Sequence, residues 1–214
     1  VTFVQVPLGQ AYPFLAGKKA EEVKQAEGYK AGNPKIPTAV SQKAVRLIVD
    51  GRHNGYAVST PKGLFILGHL LEEAKDDIQV NWDRGEPIKL DKSKFVVYRT
   101  EYDTIVHYPV VLPGLPQLTE GKINTEFTSG TIGLFPLSGA SVGDGRLEGD
   151  LIVYNASTSP GDCGSLVLDS KGKAVGVHIF NENSALSIRF LYTLFFFFFF
   201  GSKAPKEVAR PSSY

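Results

Sequence analysis

Short apolar runs recur along this chain, and clusters of glycine, proline, asparagine and aspartate separate them. Each run has the length and the β-branched or aromatic content that is typical of a strand. We therefore predict an all-β fold. The predicted strands cover residues 45–49, 56–58, 64–67, 95–98, 104–106, 130–135, 149–154, 166–168 and 185–190.

A proline-rich stretch, residues 109–116, divides these strands into two groups. Before the first group, residues 16–32 are charged and alanine-rich, which favours a short helix. The predicted organisation is an N-terminal arm with a helix (1–36), a first β unit (37–110), a linker (111–118), a second β unit (119–194), and an apolar run with a flexible tail (195–214).

The only cysteine, Cys163, lies in a Gly-Asp-Cys-Gly sequence, residues 161–164, just before an apolar strand. A free cysteine is usually a small buried hydrophobe. Here the flanking glycines allow a tight turn whose backbone N–H groups point at a substrate carbonyl, as in an oxyanion hole. We therefore interpret Cys163 as a nucleophile.

A thiol is mostly protonated at neutral pH, so a nucleophilic cysteine needs a base, usually histidine. His69 follows two strand-like runs joined by a Pro-Lys-Gly turn, and Asp103 precedes an alternating apolar strand. The order His69, Asp103, Cys163 and the glycine-flanked cysteine resemble the viral 3C and 3C-like cysteine proteases of the chymotrypsin fold.

This resemblance implies two six-stranded antiparallel β-barrels with the active site between them. It makes Cys163 the nucleophile, His69 the base and Asp103 the acid. Residues 161–163 (Gly161, Asp162, Cys163) would form the oxyanion hole. Thr158, Gly176 and His178 match the first specificity pocket of these enzymes, which implies an endopeptidase that cleaves viral polyproteins after Gln or Glu.

The acid is the most open of these assignments, because some proteases of this class use a His-Cys dyad alone. Glu101 is the nearest substitute for Asp103 in sequence, and three aspartates lie closer to His69: Asp76, Asp77 and Asp83. His178 also fits a satisfied interior histidine. We assign His53 and His107 to the surface or to the sheet.

Charge and composition limit the classes of partner and cofactor that the chain can bind. The chain has 23 basic and 22 acidic residues, a net charge of +1, which argues against strong nonspecific RNA binding. One cysteine cannot build a multi-cysteine zinc site, so we expect no metal and no cofactor. A single reduced cysteine also suits a reducing compartment, so we expect the protein in host cytoplasm, including its membrane-associated replication sites. The lack of methionine favours a polyprotein segment.

Three further expectations stay open. The ten apolar residues 191–200 fit a buried last strand, the end of a membrane-targeting region or an added tail, but are too few to span a bilayer as a helix.

The sequence also leaves open whether the protein forms a homodimer. The alternative function is a protease-like module that binds RNA or a replication partner. A papain-type enzyme is disfavoured, because its cysteine precedes its histidine.

Overall fold

The computed structural model describes residues 4–6 (backbone only), 45–82, 85–179 and 183–197. The helix predicted within residues 16–32 and the tail after residue 200 lie outside the described residues. The strands are β1 Val4–Val6, β2 Val45–Val49, β3 Arg52–Thr60, β4 Gly63–Leu67, β5 Ile78–Trp82, β6 Ile88–Lys89, β7 Val96–Arg99, β8 Thr104–Tyr108, β9 Ser129–Leu134, β10 Ser141–Glu148, β11 Leu151–Tyr154, β12 Leu166–Asp169, β13 Ala174–His178 and β14 Ser184–Ser187.

The first unit is an antiparallel sheet of eight strands in the order β1-β7-β8-β4-β3-β2-β5-β6, which forms a half-barrel. The prediction of a closed six-stranded first barrel is therefore wrong. Its edge strands β1 and β6 have only three and two residues. Strands this short offer few backbone groups for pairing, so they leave the ring open.

The second unit is a closed barrel of six strands in the order β10-β11-β14-β13-β12-β9. This confirms the barrel predicted for the second half of the chain. Its interior is a compact cluster that includes Ile132, Ile152 and Val167. The alternation of buried and exposed residues along β10 is that of a sheet with one face in a core.

A helix, α1 (Ile188–Phe196), follows β14 directly. The strand predicted over residues 185–190 is therefore wrong in its last part, because the Ser187 hydroxyl accepts a hydrogen bond from the Arg189 N–H (3.0 Å) and caps a helix there. Residues 191–196 of the apolar run are thus helical rather than a strand, and Leu191, Leu194, Phe195 and Phe196 are buried. Within the described residues, no helix is long and apolar enough to cross a membrane.

One hydrophobic cluster spans the two units, in addition to the separate cluster inside the second barrel. Helix α1 contributes Phe195, and the centroid of its ring lies 4.5 Å from the ring centroid of Phe65 on β4. The same cluster contains Leu47 and Val97 from the first sheet and Cys163 from the second unit. Cys163 therefore lies where the two units meet, which is where a cleft between them would place a reactive group.

His107 on β8 is buried in the first sheet, as the sequence analysis allowed. Its ring stacks on Phe65 with centroids 4.3 Å apart, and its Nε2 lies 2.8 Å from the Lys62 carbonyl oxygen. Burial lowers the pKa of His107 to about 4 from an ordinary value of 6.5. The folded protein therefore holds this imidazole neutral at pH values where the unfolded chain would protonate it.

This burial predicts a loss of stability in acid. As pH falls from 6.5 towards 4, the unfolded chain binds a proton at this site that the folded chain excludes, so the free energy of unfolding should drop by about 3 kcal/mol from this group. A His107→Gln variant should lose most of that pH dependence in urea unfolding at pH 4 and pH 7. An equal drop in the free energy of unfolding between pH 7 and pH 4 in both proteins would contradict the prediction.

Candidate active site

His69 lies on a short 3₁₀ turn, Gly68–Leu71, that begins where β4 ends. The carboxylate of Asp103 meets it there: Oδ2 lies 2.6 Å from His69 Nδ1, and Oδ1 accepts a hydrogen bond from the His69 backbone N–H at 3.3 Å. An ionised carboxylate can only accept, so Nδ1 carries the proton and Nε2 keeps its lone pair. This tautomer places the basic nitrogen on the opposite side of the ring from Asp103.

A turn before β8 fixes Asp103. The Thr100 hydroxyl donates to the Asp103 carbonyl (2.6 Å) and accepts from its N–H (3.1 Å), and Asp103 Oδ1 accepts from the Thr104 N–H (2.7 Å). The carboxylate is thus held by the backbone N–H groups of Thr104 and His69, and does not depend on the His69 imidazole for its orientation. This rigidity is what a residue that orients an imidazole requires.

The other acidic residues considered from sequence do not take this place. Asp77 accepts from Gln79 Nε2 (2.7 Å) and lies 3.9 Å from Lys89 Nζ, while Asp76 and Glu101 are exposed. Asp83 lies outside the described residues. The structure therefore brings Asp103, among the described candidates, into contact with His69.

A second carboxyl group, Glu72, lies close enough to the pair to interact electrostatically. Burial raises the pKa of Glu72, the charge of Asp103 raises it further, and His69 lowers it. Sequence analysis did not single out this residue. Its position three residues after His69, directly after the 3₁₀ turn, is the signal that would have found it.

Cys163 is 2% exposed and lies in a loop that two glycines shape. Gly161 and Gly164 have φ angles of +95° and +89°, which only glycine adopts readily. A Cβ on Gly164 would overlap the carbonyl oxygen of Tyr56. The backbone path of this loop therefore requires glycine at positions 161 and 164.

Gly55 on β3 brings the cysteine loop and the histidine turn together. A Cβ at Gly55 would lie 2.7 Å from the Cys163 carbonyl oxygen and 2.7 Å from a methyl group of Leu70, the neighbour of His69. The next residue, Tyr56, donates its N–H to the Cys163 carbonyl at 2.8 Å. The nucleophile loop and the His69 turn thus approach each other beside a single glycine.

Asp162 orients the loop through its side chain. Its buried carboxylate accepts from the Ser138 hydroxyl (2.9 Å) and from the Ser159 N–H (2.8 Å). Its own N–H donates to the Ser159 carbonyl (3.1 Å). Asp162 is therefore engaged within the turn, which leaves Gly161 and Cys163 as the candidate oxyanion donors of the three residues predicted.

The three residues predicted for the specificity pocket lie close together in the second barrel. The Tyr154 hydroxyl donates its single proton to the Ser184 carbonyl (3.0 Å), so it accepts a hydrogen bond from the N–H of His178 Nδ1. The Thr158 hydroxyl donates to Asn183 Oδ1 (3.1 Å). Since Tyr154 bonds Nδ1, the imidazole could meet a substrate side chain only through Nε2.

Gly176 has a packing role in this group. A Cβ there would lie 2.9 Å from the Leu186 carbonyl oxygen and 3.0 Å from the Ala185 Cβ on the paired strand β14. Gly176 thus permits close contact between β13 and β14, which positions His178.

Among the described residues, no group of His, Cys, Asp and Glu side chains could hold a metal ion.

Besides Glu72, two residues at the site were missed by sequence analysis. Tyr154 bonds His178 from β11, and His53, expected at the surface or in the sheet, lies with its Nε2 3.0 Å from the Gly161 carbonyl oxygen. Both contacts join residues far apart in the chain. Their positions in strands were the available signal, but their partners were not predictable from local sequence.

No protein-family model and no curated protein matches this chain. Solved structures do match it. The serine protease domain of the Sesbania mosaic virus polyprotein has a TM-score of 0.56 at 13% identity, covering 78% of this chain and 98% of that chain. Tobacco etch virus protease complexed with product has a TM-score of 0.51 at 19% identity, covering 72% and 77%.

A human pathogenic astrovirus serine protease also matches, with a TM-score of 0.50 at 15% identity, covering 78% of this chain and 96% of that chain. These three structural neighbours are viral proteases, and two of them are serine proteases. Likeness at such low identity shows a common fold and leaves the nucleophile type open. The chain therefore has the chymotrypsin-like fold, with its second barrel closed and its first unit a half-barrel.

Proposed function

We propose that this protein is a viral endopeptidase that processes a polyprotein with Cys163 as its nucleophile. The observation that carries the proposal is the 2.6 Å hydrogen bond between His69 Nδ1 and Asp103, formed beside a Gly-Asp-Cys-Gly loop. A base that a carboxylate orients, on a turn that approaches the loop of a thiol, is the arrangement that acyl transfer requires. The viral protease neighbours agree with this assignment in fold.

The mechanism follows from these groups. His69 Nε2 takes the Cys163 proton, and the thiolate attacks the scissile carbonyl carbon. The N–H groups of Gly161 and Cys163 would stabilise the developing oxyanion. The imidazolium then gives its proton to the leaving amine. Water, activated by His69, hydrolyses the thioester and returns the enzyme to its starting state.

We propose that Thr158 and His178 select Gln or Glu before the scissile bond. Both side chains are at most 3% exposed, and the Thr158 oxygen and His178 Nε2 can accept hydrogen bonds from a substrate amide. They can donate to an amide or carboxylate oxygen when the Thr158 hydroxyl turns away from Asn183 and Nε2 carries a proton. An apolar substrate side chain would leave these buried polar groups without that bond, which makes the discrimination strong.

A peptide panel tests the activity. The peptides differ only in the residue before the scissile bond: Gln, Glu, Asn, Asp, Leu or Lys. We expect kcat/KM for Gln or Glu to exceed that for Leu by about 100-fold or more. Equal cleavage of all peptides would contradict the specificity, and no cleavage of any would contradict the protease assignment.

Replacing Thr158 with valine tests the pocket, because valine keeps the shape and removes the hydroxyl. The variant should lose about 10- to 100-fold in kcat/KM for the Gln or Glu peptide while cleavage of the Leu peptide changes little. Thr131→Val, at an exposed position of the same barrel, is the matched control. A uniform loss over all peptides would indicate damage to the fold rather than to specificity.

We propose that the substrates are polyprotein segments in host cytoplasm. Structures of tobacco etch virus protease with product and with substrate give the precedent for such ligands in this fold. An RNA-binding module would behave differently: its affinity would fall steeply as salt rises, whereas peptide cleavage would change little. Comparing both assays between 50 mM and about 200 mM salt therefore separates the two functions.

A further inference from the structure

His53 on β3 connects the first sheet to the nucleophile loop. Its Nε2 lies 3.0 Å from the carbonyl oxygen of Gly161, a residue 108 positions later in the chain. The ring also packs edge-on against Tyr56, with centroids 5.0 Å apart. His53, which belongs to the first unit, thus contacts the loop of the second unit that carries Cys163.

The protonation state of His53 follows from its other partner. Arg46 Nε donates to His53 Nδ1 at 3.2 Å. An arginine is always protonated and can only donate, so Nδ1 must be the acceptor nitrogen. The proton of the neutral ring is therefore on Nε2, which donates it to the Gly161 carbonyl.

The surroundings keep the ring neutral. Burial lowers the pKa of His53 and the charge of Arg46 lowers it further, while the Gly161 carbonyl and the charge of Asp162 oppose this. Protonation of Nδ1 would replace the bond from Arg46 with repulsion between two cations. The bridge from Arg46 through His53 to Gly161 is thus a feature of the neutral imidazole.

The bridge acts on the residue of this loop that needs restraint most. Gly161 has no side chain and a φ of +95°, and glycine has more backbone freedom than any other residue. The side chain of Asp162 is held by hydrogen bonds from Ser138 and Ser159, whereas Gly161 can be held only through hydrogen bonds to its backbone. A hydrogen bond to its carbonyl limits rotation of the residue whose N–H would bind the oxyanion.

We propose that His53 is a positioning residue for the oxyanion hole, holding Gly161 in the orientation that aims its N–H at the substrate carbonyl. The inference rests on the proposed function. His53 touches neither substrate nor reacting atoms in this role. Its contribution is made only when an oxyanion forms, so it should affect the chemical step and not substrate binding.

Two variants of His53 and two assays test this role. His53→Ala should lower kcat about 10- to 100-fold with KM nearly unchanged, since a loop misplaced by about 1 Å costs on this order. His53→Gln, whose amide can donate to the same carbonyl, should recover most of kcat. Alkylation of Cys163 by iodoacetamide needs no oxyanion hole, so its rate should be the same in wild type and both variants.

His107→Ala is the matched control, because it also removes a buried histidine bonded to a carbonyl, that of Lys62 in the β3–β4 turn. It should lower stability and leave kcat of the folded protein unchanged. If His53→Ala keeps wild-type kcat, or if its alkylation rate falls together with kcat, the positioning role is overturned while the protease assignment stands.

A readout without substrate separates the two proposals. Nitrogen-15 chemical shifts of the His53 ring should show a protonated Nε2 and an unprotonated Nδ1 at pH 7. The opposite tautomer would overturn the bridge even in an active protease. Absence of peptide cleavage by wild type would overturn the proposed function, and the ring shifts would still decide whether the bridge exists.

Discussion

Replacing Cys163 with alanine is expected to lower kcat/KM for a Gln or Glu peptide by at least about 10⁴-fold. Removing the nucleophile leaves only binding and oxyanion stabilisation, which cannot form the acyl-enzyme. The thiol is buried among core residues, and alanine fills most of its space, so the fold should survive. Peptide cleavage with circular dichroism of both proteins makes this measurement.

A serine variant tests whether the nucleophile is a thiol, because the fold also occurs in serine proteases. Cys163→Ser keeps the hydrogen-bonded His69–Asp103 pair as a base for a hydroxyl. It should retain weak cleavage that iodoacetamide no longer abolishes, whereas iodoacetamide should inactivate wild type completely. Wild-type cleavage that resists iodoacetamide would contradict the cysteine nucleophile.

The second large effect is expected from Asp103. Asp103→Asn should lower kcat by about 10²- to 10⁴-fold, because an amide that donates to Nδ1 favours the tautomer with its proton on Nε2 and removes the basic lone pair. The backbone bond from the Thr104 N–H can still be accepted by the amide oxygen. The loss should therefore reflect orientation of the imidazole and not collapse of the turn.

Glu101→Gln is the matched control for Asp103→Asn, since Glu101 is exposed and two residues away in the same segment. It should cleave peptides at the wild-type rate. If Asp103→Asn also cleaves within about threefold of wild type, His69 and Cys163 act as a dyad and the acid is not needed. Equal losses in both variants would point to a structural role for the whole turn.

Local patterns predicted those parts of the structure that depend on local sequence. The strand-like runs around His69 and Asp103 form β4 and β8, and their turns place the two side chains together. The glycines around Cys163 predicted a tight loop, which their positive φ angles bear out. In each case a few neighbouring residues contain the information.

Features that depend on distant pairing were not predictable in this way. The first sheet has eight strands because β1 pairs with β7, and Gln5 lies opposite Tyr98 there. The apolar run after residue 188 has no alternation that separates a strand from a helix, and the Ser187 cap decides between them. The partner of His53 is fixed only when two units come together.

The packing of α1 has a consequence for the order of events during synthesis. Phe195 contacts the first sheet, and its carbonyl oxygen lies 3.5 Å from the hydroxyl of Thr60, 135 residues earlier. Contacts this distant in sequence form late and slow folding. The first sheet therefore cannot complete its core until almost all of the described chain has been made. The proposed protease would thus complete the hydrophobic cluster that contains Cys163 only after synthesis has passed α1.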